Sequence, residues 1–148
     1  MVRIGKRRKN LRERKASIPY DKIDRGIRKT IQLLNKFPFC LTTNCCQGHA
    51  THVGGDSYTA NYYITLEVTN EGKFLAMLSG ITPEFEKITE LVLLVSKEYY
   101  FDDDANLNQY HWRLSFYWGR ESQEEVEKGM LRGRKCLERL IQEYQKET

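Results

Sequence analysis

Tyr110-His111-Trp112-Arg113-Leu114-Ser115-Phe116-Tyr117-Trp118 alternates large apolar side chains with His111, Arg113, Ser115 and Tyr117. A period of two is that of a strand with one face buried and the other turned to polar surroundings. Strands of this half-polar kind belong to an antiparallel or mixed sheet, because a doubly wound parallel sheet buries both faces of its strands. Upstream, Tyr62, Ile64, Leu66 and Val68 alternate with Tyr63, Thr65 and Glu67 in the same way. The fold class expected is therefore α+β, with helices packed mainly on one face of the sheet.

The helices that would cover the apolar face are legible on either side of these strands. Ile23, Ile27, Ile31 and Leu34 form one stripe, predicting a helix from Tyr20 that is capped by Asp21 and stopped at Phe37-Pro38. A short strand from Phe39 to Thr43 follows, and Asn44-Cys45-Cys46-Gln47-Gly48-His49, which has no period, reads as a loop. Thr69-Asn70 predicts the cap of a helix ending near Gly80, and Thr82-Pro83 the start of another that passes into a strand toward Phe101. Asp102 to Asn106 reads as a polar loop, and Gly54-Gly55-Asp56-Ser57 as a turn. Ser122-Gln123-Glu124-Glu125 is a capping box opening a long C-terminal helix with Val126, Met130, Leu137, Ile141 and Tyr144 on one side. Gly129 and Gly133 within it lower helix propensity by about 1 kcal/mol each, which implies close approach of another backbone.

The 148 residues have room for one compact domain. Hydrophobic residues make up 40% and prolines number three, which excludes collagen-like and wholly disordered chains. No run approaches the roughly 18 apolar residues of a membrane span, and Leu11 is followed at once by Arg12, Glu13, Arg14 and Lys15, so no secretory segment is expected and a cytoplasmic setting is. The four cysteines form no disulfide framework and read as reduced thiols.

The net charge of +4 conceals an asymmetry. Arg3, Lys6, Arg7, Arg8, Lys9, Arg12, Arg14 and Lys15 stand against Glu13 alone, so the first fifteen residues carry +7 and the other 133 carry −3. Residues 1–19 are expected to be a flexible basic arm and 20–148 the folded domain. The natural partner of such an arm is RNA or another polyanion, a solubility tail and an organelle-targeting segment being the other readings.

Chemistry could sit around Cys45, Cys46, His49 and His52, whose types are those of zinc ligands, although only one cluster is present where a structural site wants two separated pairs. Cys46 with His49 or His111 could also form a thiolate nucleophile pair. Asp102 to Asn108 imitates the start of a calcium loop, but Leu107 replaces the glycine and Arg113 the glutamate. Gly54-Gly55 is no dinucleotide fingerprint.

The segment from Lys22 to Ala50 resembles the N-terminal signature of the wybutosine-synthesis tRNA methyltransferase family, in which an Ile/Val-Asp helix leads through an Asn into a strand and a Thr-Thr-Ser-Ser-Cys-Ser-Gly-Arg motif. Asp24, Asn35, Thr42, Thr43, Cys46 and Gly48 match, while Asn44 and Cys45 replace two serines, Gln47 a third and His49 the arginine. Cys-Gln-Gly-His also resembles a motif of small bacterial and phage proteins of unknown function. The first resemblance implies S-adenosylmethionine-dependent methyl transfer to a modified guanosine of tRNA on a non-Rossmann α+β scaffold.

The residues expected to bind a nucleotide-like ligand are Thr42, Thr43, Asn44, Cys46, Gln47, Gly48 and His49, with His111 and Arg113 from the open face of the last strand. The functional expectation is a nucleotide- or RNA-directed protein, a tRNA-modifying methyltransferase relative among them. The alternatives are a non-enzymatic module binding a small nucleotide and a zinc-stabilised interaction domain.

Overall fold

A computed structural model describes residues 10–55, 57–99, 110–120 and 122–148. Its centre is the antiparallel pair of β3 (Ser57–Val68) and β5 (Tyr110–Arg120), in register as Tyr62↔Phe116, Ile64↔Leu114 and Leu66↔Trp112. These six side chains lie on one face and are buried, with the Tyr62 and Phe116 rings stacked at 4.4 Å. The full sheet runs β1-β3-β5-β4, where β1 is Cys40–Cys46 and β4 is Leu94–Tyr99, and a short β2 (Thr51–Gly54) pairs with the start of β3. Every pairing is antiparallel, as the half-polar strands require.

Three helices cover the apolar face: α2 (Arg25–Asn35), α3 (Glu71–Thr89) and α4 (Gln123–Glu147). Ile27, Ile31 and Leu34 of α2 are buried, as their spacing predicts, but the helix starts later than expected. Tyr20–Lys22 forms a single 3-10 turn, and Asp24 rather than Asp21 occupies the N-cap position. Ser122 accepts from the Glu125 N–H at 3.3 Å and opens α4.

Four further expectations are corrected. Asn44-Cys45-Cys46 is strand, not loop: a bulge between Thr42 and Asn44 carries β1 on to Cys46, and a bulge erases the period of two by which a strand is recognised. Gly80 and Pro83 neither end nor start a helix, since both lie inside α3. The stripe of Phe74, Met77, Leu78, Ile81 and Phe85 is continuous across them, and tertiary burial outweighs the hydrogen bond that Pro83 removes. Gly129 and Gly133 admit aromatic rings rather than another backbone: a Cβ on Gly133 would stand 2.7 Å from the Phe116 ring, and one on Gly129 3.1 Å from Trp118.

The fourth correction concerns the arm. Leu11–Ala16 is a helix, α1, whose N-cap Asn10 forms a capping box with Glu13. Arg14 makes two 2.6 Å bonds to the Glu67 carboxylate, and the Lys15 ammonium donates to the carbonyls of Asn35 (2.8 Å) and Phe37 (2.6 Å) at the end of α2. Burial holds the Lys15 pKa below its usual range, and a cation at a helix C-terminus meets the negative end of the dipole. The basic run is thus divided: Arg14 and Lys15 belong to the folded body, whereas Arg3, Lys6, Arg7, Arg8 and Lys9 lie outside the described residues. The calcium-like stretch from Asp102 to Asn108 lies outside them too.

The contact between α4 and the sheet carries a measurable asymmetry. Gly133→Ala places a methyl against a fully buried ring and should cost about 1 to 3 kcal/mol. Gly129→Ala meets the partly exposed Trp118, which can give way, and should cost less. Thermal melts of the two variants check the order.

Candidate functional site

Nine residues were expected to line a ligand site, and the fold divides them between two layers. Thr43, Asn44, Cys46, His111 and Arg113 lie on the face of the sheet opposite α2, α3 and α4. The strand register sets them in rows across that face, Asn44–Thr65–Arg113–Ser96 and Cys46–Tyr63–Ser115–Leu94, with His111 beside Glu98 in the next row. The Thr43 and Thr65 hydroxyls share a 2.9 Å hydrogen bond. The Arg113 guanidinium lies over the Tyr63 ring at 4.3 Å. Glu98 stands 3.5 Å from His111 and 4.0 Å from Arg113, closing a small polar cluster.

Two residues of this face escaped the sequence reading as ligand candidates. Tyr63 sits at its centre, and Tyr117, 65% exposed, projects from it beside Asn61, its partner in register. The alternation that marked Arg113 as outward-facing carries the same signal for both. The rim of the face near β1 is different: Leu41 is buried there, and Arg14, Ile18 and Pro19 line a cleft of about 490 Å³ with Lys22, Asp24, Thr42, Thr43, Asn44 and Cys45.

Of the remaining expected residues, Thr42, Gln47 and Gly48 turn inward and His49 does not. After Cys46 the chain leaves the sheet and dips into the helical layer before returning as β2. There the Gln47 side chain accepts from the Gly26 N–H at 2.8 Å, near the start of α2, and the Arg134 guanidinium of α4 donates to the Gln47 carbonyl at 3.1 Å. Asp24 makes no side-chain cap of its own, so a residue twenty-one positions downstream from Gly26 satisfies this helix N-terminus. A Cβ on Gly26 would displace the Gln47 amide oxygen from this position. Gly48 is buried with φ +82, and a Cβ on it would lie 2.5 Å from the Met130 methyl, so both backbone conformation and space call for glycine. His49 is exposed and 3.6 Å from Asp24.

Asn35 and Thr42 are similarly engaged. The Asn35 amide donates to Ile31 O and to the Thr42 hydroxyl, while its oxygen accepts from the Thr42 N–H on the free edge of β1. Among the motif positions that carried the family resemblance, Asn35, Thr42 and Gly48 therefore build the fold, and Gln47 in the gap between them does the same. The Asn35 amide, the Thr42 hydroxyl and N–H, and the Gln47 side-chain oxygen and backbone carbonyl each have an internal partner.

The cysteine and histidine chemistry finds little support in the geometry. Among the described residues no three His, Cys, Asp or Glu side chains converge as metal ligands. The His52 Nε2 is hydrogen-bonded with the Gly55 carbonyl at 2.5 Å. Burial pushes the Cys45 thiol up, and Asp24 and Cys46 add to the effect. Cys40, fully buried, is pushed up to about 12.

If Gln47 serves as the cap of α2, Gln47→Ala and Gly26→Ala should each destabilise by about 1 kcal/mol, and the double variant should cost clearly less than the sum, since both break one bond. His49→Ala, at an exposed and loose pair, should fall within about 0.5 kcal/mol of the parent. Urea titrations of the four variants check this. Comparison of the chain with protein-family models, with curated proteins and with solved structures gives no match.

Proposed function

We propose that this chain is an RNA-directed binding protein of the cell interior that receives unpaired bases on its open sheet face. The observation that carries the reading is the stack of Arg113 on Tyr63, with Tyr117 exposed on the same face. Aromatic and guanidinium planes on an antiparallel sheet are the means by which single strands are held, each stacked base contributing about 1 to 3 kcal/mol. The basic segment supports it. Arg14 is clamped to Glu67 at the rim of this face, and Arg3, Lys6, Arg7, Arg8 and Lys9 precede that anchor in sequence, a charge that raises the local concentration of a polyanion.

A second reading, binding of a small nucleotide, is favoured by the cleft of about 490 Å³, whose walls include Thr42, Thr43 and Asn44. Among the described residues no helix is long and apolar enough to cross a membrane.

Fluorescence anisotropy with a labelled twelve-nucleotide single-stranded RNA tests the reading. Tyr63→Ala and Tyr117→Ala should each weaken binding by about 1 to 3 kcal/mol with little change in melting temperature, and Arg113→Ala should weaken it as well. Removing residues 1–9 should flatten the salt dependence by about 0.7 per lost phosphate contact. Unchanged affinity in all three point variants would overturn the assignment of this face, and a thermal shift with a mononucleotide but not with the RNA would favour the cleft.

A further inference from the structure

The outward side of α4 carries Lys128, Arg132, Lys135 and Arg139 at positions i, i+4, i+7 and i+11, one stripe about 16 Å long. Two shallow grooves flank it and share Lys128 and Arg132. Arg120, at the end of β5, extends the line: its guanidinium lies over the Trp118 ring at 3.9 Å, with that of Arg132 5.7 Å from the same ring. Lys128 pairs with Glu124 at 2.9 Å and Arg139 with Glu143 at 3.6 Å, and Glu125 lines one groove. Arg120, Arg132 and Lys135 have no carboxylate within ion-pair distance among the described residues. Concentrating cations this way costs self-repulsion that the Glu124 and Glu143 pairs offset only at Lys128 and Arg139, and the packing of α4 does not require it, because the opposite side of the helix supplies that through Val126, Met130, Leu137 and Ile141.

We propose that this stripe is a second nucleic-acid surface, one that grips the phosphate backbone of a paired segment. The proposal rests on the nucleic-acid reading above and adds the class of substrate, a nucleic acid with a duplex portion. Three features separate this surface from the sheet face. It lies on the other layer of the fold. It is straight and rigid, and 16 Å spans about five successive phosphates of one strand of a duplex. Its cations outnumber its single ring, Trp118, as contacts that position rather than specify require.

The test uses the full chain and two ligands, a twelve-base-pair RNA duplex and a twelve-nucleotide single strand. The triple variant Arg120→Gln/Arg132→Gln/Lys135→Gln should lose duplex affinity, and its log K against log salt slope should fall by about 0.9 per residue removed, so that going from 50 to 200 mM salt costs it about 40-fold less than it costs the parent. Single-strand binding should change little. Lys36→Gln/Lys73→Gln/Lys87→Gln removes the same charge elsewhere and should leave the duplex slope near that of the parent. Circular dichroism and a melt on each variant confirm folding. Equal slopes for the two triple variants, or no duplex binding by the parent at 50 mM salt, would overturn the proposal while leaving the sheet-face reading standing if the single strand still binds. Loss of single-strand binding on Tyr63→Ala with duplex binding intact would uphold both surfaces. If an acidic protein competes for the stripe and the duplex does not bind, the surface is for a different partner and the proposal fails.

Discussion

The packing of α4 on the β3–β5 pair is the constraint from which the rest of the molecule follows. Phe116 and Trp118 stand toward the helix at the places where Gly133 and Gly129 leave room, so the helix axis sits close to the sheet and its register along β5 is fixed. Tyr62, Ile64, Leu66, Leu114 and Phe116 are thereby sealed, each exposed by 1% or less. Close-packed interiors of this kind transmit rather than absorb displacement, so the opposite face of the same two strands is equally well fixed. A binding surface built on that face inherits its rigidity from the core beneath it, and side chains on strands are held in place more accurately than those on loops.

A second element ties the layers together. The excursion from Gln47 to Ala50 interrupts what would otherwise be one long strand and inserts into the helical layer, where it joins the start of α2 to the middle of α4 through Gly26, Gln47 and Arg134. A partly buried helix N-terminus leaves amides that need acceptors, and a glutamine carbonyl answers that need as a local cap does. Part of a motif dense in polar residues and glycine, Thr42 and Gln47, is in this way accounted for by the fold's own hydrogen-bond requirements. Motif density alone does not make a ligand site.

The charges fall into three groups with different roles. Arg14 and Lys15 hold α1 to the body through Glu67 and through the terminal carbonyls of α2. The five cations between Arg3 and Lys9 precede that anchor in sequence. The stripe on α4 occupies a rigid element on the far layer. Polyanion contacts from an arm and from a fixed stripe differ in what they supply: the first raises encounter and salt-sensitive affinity, whereas the second imposes a geometry on the backbone it meets.

Strand alternation at Tyr62 to Val68 and Tyr110 to Trp118, the stripe from Ile27 to Leu34 and the cap at Ser122 were legible in the sequence because each is a local pattern with a local cause. They determined the α+β class, the antiparallel sheet and the long terminal helix. Where local and non-local forces disagree, the sequence misled: the bulge at Thr42 to Asn44 broke the period of a real strand, and the burial of Phe74, Ile81 and Phe85 carried a helix through Gly80 and Pro83. The outward position of Arg113 and His111 followed from alternation alone. That Tyr63 lies under Arg113, that Thr43 and Asn44 share this face, and that Gln47, Gly48 and Thr42 do not, were decided by tertiary structure. Apart from the Asn35–Thr42 pair, these are contacts between residues some 20 to 90 positions apart, and their partners are chosen by strand register and helix packing, neither of which leaves a mark in the spacing of neighbouring residues.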